Sequence, residues 1–350
     1  MRKFKYLAVF ALPLTTYYAL TGYGWVSYLP LIVFFGFVPL LELFFPPDKR
    51  NLNEQERILA QKDRFYDVLL YLTVPIQWAA LTFFLFQTQE SSLDYTTLIG
   101  RTISMGLMCG VIGINVGHEL GHRSPGWDHL MGEILMLSSL ENHFIPYHNN
   151  GHHLNVATHS DPATARKNES VYLFWFRSHF GSYFQAWRLE QHRLRRQAIH
   201  WFSWKNKMIK YTLAQIILLI TIYLAFDLRA VLFFLTASIF GILLLETVNY
   251  IEHYGLLRKQ KKNGRYERVQ HHHSWNSDYV IGRVVLFELS RHSDHHYKAN
   301  KHYQLLDSLD TSPQMPTGYP GMMVFALFPP LWFRYMNKQI QVFHSKQNLT

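Results

Sequence analysis

Cysteine is nearly missing from these 350 residues: Cys109 stands alone, inside an apolar block. A single thiol excludes an intrachain disulfide, an iron–sulfur cluster and a cysteine-based zinc site, and it reads as a small packed hydrophobe. No internal repeat of about 20–50 residues is present and no low-complexity run, which excludes repeat architectures. The first apolar stretch lacks an Ala-x-Ala-like cleavage site and runs straight into a second one, so it is expected to be retained rather than removed as a signal peptide.

Apolar residues are plentiful, 49% hydrophobic and 16% aromatic, and they come in blocks. Between the blocks lies a net charge of +10, which suits nucleic acid or the anionic face of a membrane. The blocks favour the membrane, and no nucleic-acid partner is expected. About 20 apolar residues carry a helix across a bilayer, because the backbone must satisfy its own hydrogen bonds there. Six stretches qualify: 6–23, 26–45, 65–86, 95–116, 210–226 and 230–250. The predicted fold is therefore all-α, an integral membrane protein of six transmembrane helices, with one domain over residues 1–350.

Connections 22–25 and 87–94 carry no Lys or Arg, whereas 46–64 and 121–207 carry many. An excess of Lys and Arg marks the cytoplasmic side, so both termini and every histidine group are expected there, on segments of about 118–207 and 251–350. The turn at 227–229 stays outside. Residues 175–204 mix Trp, Phe and Arg at helical spacing and predict a helix in the headgroup layer. Residues 321–332 are apolar, too short to span and broken by Pro329-Pro330, so they are expected to be interfacial or docked; 259–268 is a basic loop. Arg101, near the outer end of the fourth span, is expected to snorkel to the interface.

Nine histidines fall in four groups: His118 and His122; His148, His152 and His153; His253; and His292, His295 and His296. On a helix His118 and His122 share a face and can bind one metal. In the second group the spacing offers two histidines on one face and a third turned about 100° away, as a bridge between two metals requires. The last group does the same. Taken alone, His118-Glu-Leu-Gly-His122 is a zinc-protease signature, but a protease needs only one further ligand and leaves six histidines unexplained. A transporter would hold its ligands at the bilayer midplane in broken helices, not at helix ends. Nine imidazoles are too many for one ion and suit two at four or five each, while imidazole alone leaves iron, copper and zinc open. Ligating histidines usually donate their other ring nitrogen to an acceptor. Glu119, Asp161, Asn249, Glu252, Asp294 and Asn115 are placed for that, Glu246 could be a further partner or a proton carrier, and His273 falls outside the ligand set in a supporting position.

At these residues the chain resembles the alkane 1-monooxygenases, integral-membrane di-iron hydroxylases of the wider membrane desaturase and hydroxylase group. The strings His118-Glu-Leu-Gly-His122-Arg123, Asn249-Tyr-Ile-Glu-His253-Tyr-Gly-Leu-Leu-Arg258 and Leu289-Ser-Arg-His292-Ser-Asp-His295-His296 carry the likeness, with 161–166 and His273-Ser-Trp-Asn-Ser277 in support. Tyr147 stands where the family more often has Glu, and His159 is a second departure. The resemblance implies two irons on the nine histidines and hydroxylation of a terminal C–H bond of a medium-chain alkane by O2. It also implies electrons from rubredoxin and a NADH-dependent reductase, and a place in the bacterial inner membrane. A xylene-type or fatty-acyl methyl hydroxylase, or a desaturase, would use the same ligands. Redox-inert zinc could not activate O2. An acidic carrier would be steered to basic residues such as Arg123, Arg166, Arg291 and Lys298. Trp25, Trp78 and Phe84 are candidates for setting the substrate chain length.

Overall fold

A computed structural model describes residues 2–124 and 126–347. Helices dominate, and among the described residues extended pairing is limited to two isolated bridges, Gln260 with Tyr266 and Asn276 with Gln314. Five helices are long and apolar enough to cross a membrane: Gly24–Glu42, Phe65–Gln87, Tyr95–Gly121, Lys207–Ala225 and Leu228–His253. They coincide with five of the six expected spans. The first expected span is helical over Arg2–Phe10 and Ala11–Thr21, but Lys3, Lys5, Pro13 and the Thr15-Thr16-Tyr17-Tyr18 run dilute its apolar character and it does not join the five. Residues 175–204 are served by the helix Val171–Arg196, and 321–332 divides between helices Tyr319–Ala326 and Pro329–Gln347.

The chain divides into two compact units. The first comprises Met1–Phe37, Asp63–Asn149 and Tyr183–Leu245. Its most buried helix, 95–121, starts at Asp94, whose carboxylate accepts from the Thr97 amide at 3.0 Å and so satisfies one of the open N–H groups of the first turn. Farther along, glycines let helices touch backbone to backbone, the usual device where lipid supplies no hydrophobic drive. A Cβ at Gly241 would lie 2.7 Å from Cys109 Cβ and 2.9 Å from Gly110 N. One at Gly132 would lie 2.9 Å from the Gly117 carbonyl, so the helix Trp127–Leu137 packs directly on the turn that carries His118. Cys109 is fully buried in this contact, as expected of a packed hydrophobe.

Arg101 does not snorkel. Its side chain is 1% exposed and its guanidinium meets Glu90 at 3.1 Å and the carbonyls of Gln87 and Gly22 at 3.3 Å. A carboxylate within reach removes the need for the charge to find the headgroups.

The second unit comprises Val38–Lys62, Asn150–Ser182 and Glu246–Thr350. Its organiser is the string 249–258. Tyr250 donates to the Glu169 carbonyl at 2.7 Å, and the Trp275 amide donates to the Glu252 carbonyl at 2.8 Å. Gly255 ends the helix at φ +70°, a conformation that favours glycine. From there the Gly255 amide donates to Ala165 at 3.0 Å and the Arg258 amide to Ala157 at 2.8 Å, tying the end of the helix to the loop after His153.

Candidate metal centre

In the first unit the 95–121 helix is wound as a π-helix over Cys109–Val116 and returns to α over Gly117–Gly121. Such wide turns recur at functional sites because they re-aim side chains. His118 Nε2 lies 2.9 Å from both His122 Nε2 and His148 Nε2, and the three rings sit with centroids 4.4–4.9 Å apart. Asn149 donates to the Gly121 carbonyl at 2.7 Å, fastening the second histidine segment to the end of the first.

In the second unit His152, His253, His292 and His296 form a buried quartet that brings one ring nitrogen from each within 4.8 Å of the others. His152 Nε2 is 3.2 Å from His296 Nε2, and His253 Nε2 is 3.1 Å from His292 Nε2. His153 and His295 meet edge to face beside it at 5.0 Å between centroids. Burial, and then the neighbouring His152, push His295 down to about 3, so its imidazole stays neutral with a lone pair to give. His296 is pushed well down by burial and then by the neighbouring His292 and His153.

These spacings fit a metal. Donor atoms held at about 2.0–2.2 Å from one ion lie about 2.8–3.1 Å from their neighbours in an octahedral shell and about 3.3–3.6 Å in a tetrahedral one. The four Nε2 pairs, at 2.9 to 3.2 Å, fall at or close to the octahedral spacing. Crowding so many uncharged imidazole lone pairs without a cation would be costly in a buried site.

The expected partners divide. Asp161 accepts from His152 Nδ1 at 2.9 Å and is itself fixed by Thr164 Oγ1 at 2.6 Å, so the proton is on Nδ1 and the Nε2 lone pair points at the quartet. Ser274 Oγ is 3.4 Å from His253 Nδ1. Glu252 reaches His292 Nε2 at 3.1 Å. Of the others, Asp294 holds Lys301 and the Asp307 amide, Glu119 faces Arg123 at 3.6 Å, and Asn249 donates to Glu246 at 3.3 Å. His273 accepts the Gln270 amide on Nδ1 at 2.9 Å, which leaves the proton on Nε2 for Glu267 at 3.2 Å. With both nitrogens engaged that way, His273 orders its loop. Tyr319 and Thr164 were missed by sequence reasoning. Tyr319 lies 67 positions from the Glu252 it bonds, and no local pattern signals that.

Asp161→Ala should weaken metal retention by about 10–100-fold, the usual cost of removing such a partner. Metal remaining on the purified protein across a chelator series measures it, and retention equal to the parent's would deny Asp161 that role.

Arg123 and Arg291 are no part of an open basic surface. Arg123 is buried beside Asp67 at 2.7 Å, and Arg291 lies against Asp278 at 3.3 Å and Glu288 at 3.5 Å. Arg166 and Lys298 are exposed. Of the chain-length candidates, Phe84 is buried and Trp25 is largely exposed.

The fatty acid desaturase family matches residues 96–326. Curated relatives include the alkane 1-monooxygenase of Pseudomonas putida, 40% identical over 90% of this chain and 78% of that protein. Alkane 1-monooxygenase 2 of Pseudomonas aeruginosa is 36% identical over 99% of this chain and 94% of that protein. A more distant relative is the xylene/toluene monooxygenase hydroxylase component of Pseudomonas putida, 25% identical over 78% of this chain and 73% of that protein. The chain belongs to the fatty acid desaturase family and, within it, to the alkane 1-monooxygenases.

Proposed function

We propose that this protein is a di-iron monooxygenase that converts medium-chain alkanes to primary alcohols. One oxygen atom of O2 enters the terminal C–H bond, and the other leaves as water with two electrons and two protons. The observation that carries the reading is the buried quartet of ring nitrogens at ligand spacing, with Asp161 orienting His152, in a chain whose curated relatives are alkane monooxygenases.

In this reading the nine histidines His118, His122, His148, His152, His153, His253, His292, His295 and His296 hold two irons, one of them in the quartet of His152, His253, His292 and His296. The bound irons provide the redox chemistry of O2 activation. The protein's own task is to keep the imidazoles neutral and aimed and to keep the site dry. The quartet is almost fully buried, and Asp161 sets the proton on the far side of His152.

The reaction favours iron over zinc on chemical grounds, since it needs a redox-active ion. With residues 2–21 as a sixth crossing beside the five apolar helices, both termini and the histidine groups would face the cytoplasm, in a bacterial inner membrane. One cysteine cannot build an electron carrier, so two electrons must come from a separate protein, a rubredoxin fed by a NADH-dependent reductase. Exposed Arg166 and Lys298 remain as candidate points of contact for an acidic carrier.

The test is product analysis by mass spectrometry after feeding an alkane series to cells that co-express the chain with a rubredoxin and its reductase. Terminal alcohols are expected. Benzylic alcohols from xylenes, with no alkanol, would favour the second reading that the xylene/toluene relative suggests. Metal analysis of purified protein should give two irons per chain, and a single zinc would remove the oxygenase reading altogether.

A further inference from the structure

We infer that an apolar groove in the first unit is a retained binding site for one anionic phospholipid, its acyl chain against an aromatic wall and its phosphate held by Lys205, Lys210 and the arginines that end the helix Val171–Arg196. The site stands apart from the metal centre and does not depend on the reaction. The groove has a volume of about 400 Å³ and is lined by Trp187, Phe202, Trp204, Ile209, Leu213 and Ile216, with two hydroxyl side chains besides. Pockets for small ligands run from about 300 to 1,000 Å³ and are mostly apolar.

The groove is preformed. Residues 197–206 join the helices Val171–Arg196 and Lys207–Ala225, and polar contacts pin them at both ends. Arg193 donates to the Lys205 carbonyl at 2.7 Å, and Glu190 Oε1 accepts from the Lys207 amide at 2.6 Å. The Asn206 side chain donates to the Trp201 carbonyl at 2.8 Å and accepts from the Met208 amide at 2.9 Å. A wall that is already ordered loses little freedom when a chain enters.

Its depth in the membrane follows from the helix that forms one side. Lys207–Ala225 has 19 residues, and at about 1.5 Å per residue it just covers a hydrocarbon layer of about 30 Å. The first turn therefore stands at one boundary of that layer, and Ile209, Leu213 and Ile216 lead from it toward the lipid. Trp201, Phe202 and Trp204 are 51–71% exposed at the same level, where aromatic rings collect at bilayer surfaces.

Charge names the occupant. Between Glu190 and Asp227 the chain has no acidic residue, but it carries Arg193, Arg195, Arg196, Lys205, Lys207 and Lys210. Arg193 is paired with Glu190 at 2.7 Å and Lys207 with Glu133 at 3.3 Å. Arg195, Arg196, Lys205 and Lys210 are exposed, and among the described residues their side chains meet no carboxylate. Unneutralised cations at the headgroup end of an apolar groove complement a molecule with an anion at one end and a hydrocarbon chain at the other. A free alkane offers those cations nothing.

The experiment is native mass spectrometry of the purified full-length protein after exchange into equal amounts of phosphatidylglycerol and phosphatidylcholine with matched chains. Tryptophan quenching by the same two lipids, brominated on the chain, is measured alongside. Parent protein should retain one phosphatidylglycerol in preference to phosphatidylcholine, and the brominated phosphatidylglycerol should quench more strongly. The double variant Trp187→Phe, Trp204→Phe should lose that difference in quenching. The double variant Lys205→Gln, Lys210→Gln should lower the preference by about 25-fold, roughly fivefold for each cation removed near an anionic group. Leu213→Trp, which fills the groove, should abolish retention of the lipid. Should Leu213→Trp fail to fold, the lysine double variant decides, since both of its side chains are exposed. Equal retention of the two lipids by the parent, or an unchanged preference in the lysine double variant, would overturn the inference. Displacement of the lipid by dodecane would assign the groove to the hydrocarbon instead, and a dimer that Leu213→Trp disrupts would assign it to a second copy of the chain; either result would also overturn it.

Discussion

His253→Ala is expected to empty the quartet: iron per chain drops from two toward one, and alkanol formation falls by more than about 100-fold, beyond the 10–100-fold that loss of an outer partner costs. The reason is position. His253 has ring contacts with three other members of the quartet at 4.8–5.0 Å, so its removal opens the shell instead of trimming its edge. The chain around it is fastened independently. Tyr250, Tyr254 and Gly255 hold the end of the helix through the Glu169 carbonyl, the Asn168 amide and the Ala165 carbonyl. The variant should therefore keep its helical content by circular dichroism while losing metal. Full iron and full activity in folded His253→Ala would show that the lone histidine of the sequence is no ligand.

Arg291→Met should cost about 3–5 kcal/mol of stability, because removing one partner of a buried ionic group leaves its counter-charges desolvated. Arg291 is 5% exposed and faces Asp278 and Glu288, which are also buried. It further donates to the carbonyls of Leu306 at 2.6 Å and Arg50 at 3.0 Å. Arg283 faces Asp278 and Glu288 too, at 3.7 and 3.0 Å, and would blunt the loss toward the lower end of the range. Since Arg291 directly precedes the helix His292–Tyr297, its loss should also lower iron retention in the quartet. A reduced thermal midpoint in detergent together with iron loss is the expected pair of readings. Charge reversal at exposed Lys298 or Arg166 should leave stability within about 0.5 kcal/mol, as surface changes usually do. It should slow reduction by an acidic carrier at low salt. Equal stability of Arg291→Met and Lys298→Glu would contradict the buried ionic cluster.

Much of this protein is readable along the chain. Five apolar segments announce themselves because a bilayer demands about 20 apolar residues in a row, and that demand is local. Ligand identity is also local. His292 and His296 sit four apart on a helix and do enter one site together, as 3.6 residues per turn dictates. Cys109 packs as a hydrophobe for an equally local reason, its place in an apolar run.

Which histidines share a site is another matter. The spacing of His148 and His152 suggests one face and one ion, yet His148 joins His118 and His122 in the first unit while His152 joins the quartet of the second. The segment His148–His152 is wound as a π-helix, so the α-helical period does not apply there. The charged residues were misjudged for a related reason. Arg101, Arg123 and Arg291 look like surface cations in sequence, and each is buried because a carboxylate from another segment reaches it. Glu252 and Tyr319 meet across 67 positions. Side-chain periodicity reports which way a residue points along its own helix, whereas partners brought from distant segments depend on packing, and only the folded chain specifies them.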